Sequence, residues 1–170
     1  DSDGRLWLYR ELYHTGRLVE DMAKAILKIV APGGKWIEAR PRAVICDHDL
    51  EDRMTLERYL GMSTVPAKKD VSTGIEAVQL RLRVQGDGLP RLFVLRDALV
   101  ERDPALVEAG LPCGLREEVS GYVWAPGVDG KPAKEEPLKL NDHGADCARY
   151  MCAEIDLGGR PGIRALKLRP

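Results

Sequence analysis

The chain has 170 residues, of which 44% are hydrophobic and 31% are charged, a balance typical of one globular domain. Its 26 basic and 27 acidic residues leave a formal net charge of −1, so overall charge will not attract a nucleic acid. A DNA-binding surface would need its basic side chains gathered on one face. No apolar run approaches the roughly 20 residues that cross a bilayer. Four cysteines without a Cys-x-x-Cys spacing predict reduced, buried thiols in a cytoplasmic protein, and they argue against disulfides or a zinc site.

The opening of the chain predicts a turn, a strand and a helix. Residues 1–4 (DSDG) are a turn signal of the kind that joins two strands, so we expect an excised piece whose first strand lies before residue 1. Residues 5–13 (RLWLYRELY) alternate in a way that predicts a strand with burial on both faces. The apolar stripe of residues 18–30 predicts a helix, which the Ala-Pro-Gly-Gly run at 31–34 ends.

Short apolar runs then alternate with helical patterns. We predict strands at 43–46, 65–67 and 92–95, with helices at 50–60 and 72–84 between them. Asp49 and Ser72 are the expected N-caps of these two helices. Strands that alternate with helices indicate the α/β fold class.

The last third of the chain predicts one long helix after several irregular segments. Residues 98–110 are ambiguous, with a helical turn that Pro104 either interrupts or starts. Beyond them we predict a short helix at 116–120, a strand at 121–124, an exposed loop at 126–137 and a final helix at 142–155. The domain therefore covers residues 1–157, and the Gly-, Arg- and Pro-rich residues 158–170 form a C-terminal tail.

The first candidate functional acid is Asp47, which directly follows the apolar run at 43–46. An acid at the C-terminal edge of a strand leaves the core where α/β sheets place their sites. The alternative is that Asp47 or Asp49 only caps the following helix. The pair also allows one residue to cap the helix while the other binds a metal ion.

The second group of candidates opens the last predicted helix. Asp142 and Asp146 are four residues apart, so they share a face of that helix. Asp142 can equally be a simple N-cap and Asp146 a solvated surface acid. Asp146 lies among apolar positions, however, where an acid needs a partner or a metal ion. His143 can be a ligand, a proton shuttle or an ordinary exposed residue.

Carboxylate sites of this kind suit Mg²⁺ or Mn²⁺ rather than zinc. Two such ions about 4 Å apart activate a water molecule and stabilise the leaving oxygen when a phosphodiester is cut. Lys68, Lys69 and Lys139 are candidate contacts to the phosphates, and the alternative is that they are plain surface lysines.

Five segments of the chain, taken in order, carry a family resemblance. They are DSDGRLWLYRELYHTGRLVEDMA, VICDHDLEDRMTLERYLG, AKKDVSTGIEAVQLRL, EEVSGYVWAP and EPLKLNDHGADCARYM. The D-H-x-x-D-x-x-R-Y motif near the end and the C-D-H-D-x-E-D-R element are together fairly specific. Over nearly its whole length, to about residue 157, the chain resembles the C-terminal nuclease domain of the large terminase subunits of tailed phages.

The resemblance implies a ribonuclease H-like fold, in which a central mixed sheet is flanked by helices. It also implies a metal-dependent endonuclease that cuts concatemeric double-stranded DNA during genome packaging. Of the three metal-binding acids in the family, the second resembles Asp47 and the third resembles Asp146, with Asp142 as a competitor. The first acid lies on an opening strand that this chain does not contain. Without that strand we expect weak metal binding and poor cutting.

The same resemblance implies partners in the cytoplasm of a bacterial host: an upstream ATPase domain, a small terminase subunit and the portal. No Gly-x-x-x-x-Gly-Lys phosphate loop occurs in these 170 residues. Two alternatives stay open on the sequence. One is a catalytically inactive module that grips DNA or the portal ring. The other is a different ribonuclease H-like enzyme, such as a transposase or resolvase.

Overall fold

A computed structural model describes residues 1–47, 49–127 and 136–157. Within these residues the chain forms four short strands, and each strand is followed by a helix. The strands are β1 (Leu6–Leu8), β2 (Val44–Cys46), β3 (Thr64–Pro66) and β4 (Leu92–Val94). The helices are α1 (Val19–Val30), α2 (Leu50–Leu60), α3 (Val71–Leu82), α4 (Pro104–Glu108), α5 (Leu115–Glu118) and α6 (His143–Leu157). The α/β class predicted from the sequence is confirmed.

The four strands form two separate parallel pairs. β1 lies beside β4, with Leu6 opposite Leu92, and β2 lies beside β3. The rings of Trp7 and Phe93 stack across the first pair, with centroids 4.4 Å apart. Parallel pairing fits the alternation of strands and helices, because a parallel strand needs a crossover connection. A single mixed sheet was expected, but in the described part of the chain no ladder joins the two pairs.

Among the described helices, α2, α3 and α4 each begin at an acidic N-cap. The Asp49 carboxylate accepts a hydrogen bond from the Asp52 amide at 3.0 Å, which confirms its predicted role at the start of α2. The expected cap of α3 is wrong: Asp70, and not Ser72, accepts the bond from the Thr73 amide at 2.7 Å. Asp70 lies three residues before that amide, the separation that a side-chain cap requires. Pro104 starts α4 after its N-cap, Asp103.

Two predicted strands are mostly absent from the described residues. The strand expected over residues 5–13 forms only at β1, followed by one isolated bridge between Glu11 and Leu99. The strand expected over 121–124 is reduced to a bridge between Trp124 and Pro137, because the chain before it turns into a short 3-10 helix at Val119–Gly121. Most of the predicted loop (128–135) and the predicted tail (158–170) lie outside the described residues.

The core forms where α3 packs on α6 and on β4. Ala77, Leu92 and Cys152 are buried together at this junction. All four cysteines are free: Cys113 and Cys152 are buried as predicted, Cys46 is half-buried, and Cys147 is exposed. None of the described helices combines the length and the apolar character that a bilayer span requires.

Candidate functional site

The start of α6 brings Asp142 and Asp146 to the same cation. Lys139 Nζ lies 3.4 Å from Asp142 Oδ2 and 3.7 Å from Asp146 Oδ2. The two carboxylates are therefore within about 7 Å of each other. Burial tends to lower the pKa of Lys139, but the charges of Asp146 and Asp142 outweigh burial and raise it. The ammonium thus stays protonated between the two acids.

Asp146 is not a solvated surface acid. Its Oδ1 accepts hydrogen bonds from Arg149 Nη2 at 2.9 Å and Nε at 3.3 Å, while its Oδ2 faces Lys139. The Arg149 side chain is only 3% exposed. Burial alone would lower the pKa of Arg149, but the hydrogen bond to Asp146 and its charge raise it. A buried, permanently charged guanidinium therefore holds the carboxylate in place from one side.

Arg149 reaches this position by lying across Gly74 of α3. A Cβ built on Gly74 would overlap Arg149 Cγ and would lie 2.8 Å from its Cδ. These atoms are near the root of the side chain, so moving them aside would change the Arg149 rotamer and break its hydrogen bonds to Asp146. The absence of a side chain at residue 74 is what lets α3 and α6 enclose the guanidinium.

Gly74→Ala should therefore lower the free energy of unfolding by about 1 to 3 kcal/mol, the usual cost of overpacking. In an Arg149→Ala background the clash is gone, and the same change should be neutral or should stabilise by up to about 1 kcal/mol through helix propensity. Urea unfolding of both single variants and the double variant measures this coupling. Gly86→Ala is the control, because no atom lies within 4 Å of the place that a Cβ on Gly86 would occupy. Additive effects of the two changes would contradict the described packing.

Asp142 is buried, and one oxygen of its carboxylate lacks a hydrogen bond. Its Oδ2 is buried and accepts no hydrogen bond from the described residues, and Lys139 Nζ at 3.4 Å is a longer ionic contact. A buried carboxylate oxygen without a hydrogen bond is costly, by about 1 to 3 kcal/mol. This oxygen is therefore a stronger candidate for binding a cation than an exposed acid would be.

Asp47 directly follows β2, and it lies beside Lys69, which is in the loop between β3 and α3. Lys69 Nζ is 3.1 Å from Asp47 Oδ1, because parallel pairing places both strand ends at one edge. Asp49 caps α2, so the helix cap does not depend on Asp47. Burial raises the pKa of Tyr150, and the charges of Asp146 and Asp47 raise it further. β2 also contacts α6, the helix that carries Asp146 and Tyr150.

Each of the three lysines proposed to contact phosphate pairs with an acidic side chain. Lys69 pairs with Asp47 and Lys139 lies between Asp142 and Asp146, as described above. Lys68 Nζ lies 3.8 Å from Glu154 Oε2, on the same helix as Asp146. The side chains of Lys68, Lys69 and Lys139 are 38%, 48% and 63% exposed, so all three reach solvent.

His143, the fourth candidate at this end of α6, is exposed. Its ring centroid lies 6.4 Å from that of Tyr13, and the two planes are tilted by 58°. This contact places the imidazole on the side of the helix start that faces Tyr13.

The sequence reasoning missed Glu118. This side chain is 1% exposed, and its Oε2 accepts a hydrogen bond from the Ala145 amide at 2.9 Å. Tyr13 Oη donates to Oε1 of the same carboxylate. Ala145 is in the first turn of α6, so Glu118 satisfies one of the amides that a helix start leaves unpaired. A Cβ on Gly144 would lie 2.8 Å from Glu118 Oε2, so a glycine is needed there.

The donor chemistry of the site fits a hard divalent cation, although the geometry is incomplete. Asp142 and Asp146 supply carboxylate oxygens at the spacing described above, and one of these oxygens is buried without a hydrogen bond. In residues 1–47, 49–127 and 136–157, no three His, Cys, Asp or Glu side chains converge closely enough to hold a metal ion. A metal ion would therefore need movement of Asp47 or an additional oxygen ligand.

No known protein family matches the chain, and neither a curated protein nor a solved structure gives a significant match. A functional proposal therefore depends on the residues themselves.

Proposed function

We propose that the chain is the metal-dependent endonuclease domain of a phage or prophage large terminase subunit, with a ribonuclease H-like fold, which cuts concatemeric double-stranded DNA during packaging. The supporting observation is that Asp142 and Asp146 face one lysine, Lys139, at the start of α6, a helix that contacts the strand before Asp47. These acids are also the ones that the terminase resemblance implies as metal ligands.

Asp142 and Asp146 would hold Mg²⁺ or Mn²⁺ through the two Oδ2 atoms that now face Lys139. Asp47 would approach from the edge of β2, and the resemblance implies a further acid on a strand upstream of residue 1. When bound, such ions supply Lewis-acid stabilisation of the charge that develops as a phosphodiester is cut.

The protein's own groups have separate roles in this proposal. Arg149 keeps Asp146 oriented through Oδ1 and leaves Oδ2 for the metal ion. Lys139 neutralises the two acids, and its exposed ammonium would contact a DNA phosphate. Lys68 and Lys69 are the other proposed phosphate contacts. His143 is a candidate proton shuttle at the rim.

The proposed partners are double-stranded DNA, an upstream ATPase domain, the small terminase subunit and the portal, in the cytoplasm of a bacterial host. Because the net charge is −1, DNA binding depends on this local cluster of lysines. Binding should weaken steeply with salt, since each neutralised phosphate releases counterions.

Nicking of supercoiled plasmid tests the proposal. We expect slow nicking with Mg²⁺ or Mn²⁺, because the first acid of the family lies outside this chain, and none with EDTA. Calorimetric titration of the DNA-free protein should show Mn²⁺ binding with a Kd on the order of 10⁻⁴ to 10⁻³ M, the weak end of the range for carboxylate sites. Full nicking in EDTA would contradict the proposal, as would an absence of Mn²⁺ binding together with an absence of nicking.

A second candidate function is an inactive module that grips DNA or the portal ring. The observation in its favour is that each of the three acids already pairs with a basic side chain. This alternative predicts salt-dependent DNA or portal binding without cutting, and binding that survives loss of Asp47 and Asp146. The plasmid experiment separates the two functions, because only the nuclease converts supercoiled plasmid to the open circle.

A further inference from the structure

A cavity of about 500 Å³ opens between the C-terminal ends of α1 and α2. This volume lies in the range of ligand sites, about 300 to 1,000 Å³. The walls carry two aromatic rings and three cations, which belong to Trp36, Tyr59, Lys24, Lys28 and Arg58. No Asp or Glu is among the described residues that line the cavity. Aromatic surface and positive charge therefore lie together here.

Two of the cations on the walls are exposed and form no ion pair with any described residue. They are Lys28 and Arg58. Lys24 differs, because its Nζ lies 3.2 Å from Glu20 Oε1. Hydrogen bonds from Tyr59 and Lys24 are the main cause of the lowered pKa of Glu20, and the charge of Arg58 makes the smallest contribution to it. The charges of Lys28 and Arg58 are therefore available to a ligand.

The two helix ends account for only part of this positive charge. Lys28 and Arg58 are in the last turns of α1 and α2, where the partial negative charge of a helix end favours a cation. That partial charge is roughly half a unit for each helix, so it offsets about one of the two positive charges. The guanidinium of Arg40 adds a third cation, 5.2 Å from the centre of the Trp36 ring, and it has no ion pair among the described residues. A net positive charge remains beside the indole.

An aromatic ring among unpaired cations is the combination that binds single-stranded nucleic acids, because a base stacks on the ring while the cations neutralise phosphates. Trp36 is half-buried, so part of its indole is open to a base. Lys28 and Arg58 are long, exposed side chains that can reach the phosphates on either side of that base. A base inside a duplex is already paired and stacked, so it would not enter the cavity.

We propose that this cavity binds single-stranded nucleic acid, with one base against Trp36 and the neighbouring phosphates at Lys28 and Arg58. None of the described lining residues is on α6, and neither Asp47 nor its partner Lys69 is among them. The site therefore needs no metal ion, and it does not depend on the proposed nuclease activity.

Fluorescence anisotropy in EDTA tests the proposal, with a labelled oligothymidylate of about 15 nucleotides as the probe. We expect Trp36→Ala to weaken binding by roughly 5- to 150-fold, the effect of losing one stacked base. The double variant Lys28→Ala/Arg58→Ala should also bind more weakly. It should reduce the slope of log affinity against log salt by about 1.4, because each phosphate contact on a single strand contributes about 0.7. A duplex of the same length should bind less tightly than the single strand.

The matched control is Arg83→Ala/Arg96→Ala, which removes the same charge from two exposed arginines that do not line the cavity. This control should leave the salt slope unchanged. Circular dichroism checks that the variants fold, and the exposed Lys28 and Arg58 still test the site if Trp36→Ala unfolds. Equal losses in the two double variants would overturn the site. So would a duplex that binds as tightly as the single strand, or no single-strand binding to the unaltered protein. Plasmid nicking is a separate readout, so the failure of one proposal is distinguishable from the failure of the other.

Discussion

Asp146→Asn should reduce metal-dependent plasmid nicking by at least about 100-fold. Loss of an outer-shell partner costs about 10- to 100-fold in metal sites, so loss of a direct ligand should reach at least the upper figure. Asparagine has the same shape and can still accept a hydrogen bond from Arg149, so the fold should survive. Mn²⁺ affinity should fall with the nicking rate, because the amide supplies no negative charge to the cation.

Asp47→Asn tests the proposed metal site independently, because Asp47 follows β2 and is not on α6. It should also suppress nicking, although Asp47 pairs with Lys69 on an exposed edge and contributes little to stability. The matched control is Asp21→Asn on α1, which is exposed and pairs only weakly with Lys24 at 3.7 Å. Nicking that persists in both site variants would rule out these acids as metal ligands, whatever the metal dependence of the unaltered protein.

Glu118→Ala should lower the free energy of unfolding by about 2 to 6 kcal/mol, because it leaves two half-buried donors unpaired. These are the Tyr13 hydroxyl and the Ala145 amide. For a chain of this size, that loss corresponds to a fall in Tm of roughly 5 to 20 °C, which thermal unfolding measures. Glu118→Gln keeps an acceptor of the same shape, so it should be less destabilising than the alanine variant.

The same change should affect the site as well as stability. Glu118 holds the first turn of α6, the turn that carries Asp146, so Glu118→Ala should also weaken Mn²⁺ binding. Glu108→Ala is the control, since this glutamate is exposed at the end of α4. If Glu118→Ala unfolds at the same temperature as the control, the buried carboxylate does not stabilise the start of α6.

Much of the secondary structure could be predicted because its signals are local. The apolar stripe of α1 and the capping carboxylate of Asp49 lie within a few residues of the structure that they specify. The cap of α3 is Asp70 rather than the predicted Ser72. Aspartate and serine stabilise a helix start by similar amounts, so the local sequence does not distinguish the two positions. The strand predicted over 5–13 was too long, since alternation does not reveal whether a partner strand continues.

The candidate acids were also readable from the sequence, but their surroundings were not. Asp47, Asp142 and Asp146 stand out by their position at strand and helix ends. Nothing local indicates that Arg149 would bury itself over Gly74, a residue 75 positions earlier. Nor does the sequence show that Lys69 and Lys139, which were expected to contact DNA phosphates, pair with these acids. Such pairings depend on distant segments that meet only when the helices pack.

The sequence by itself determined the α/β class, the position of most helices and the set of acids worth testing, because periodicity and capping act over a few residues. Only the tertiary structure decided which groups control those acids. The Lys139 bridge, the buried Arg149 and the Glu118 carboxylate at the start of α6 all arise from the packing around that helix. Electrostatic control of a site depends on distance and burial in three dimensions, and neither quantity is a property of a local pattern.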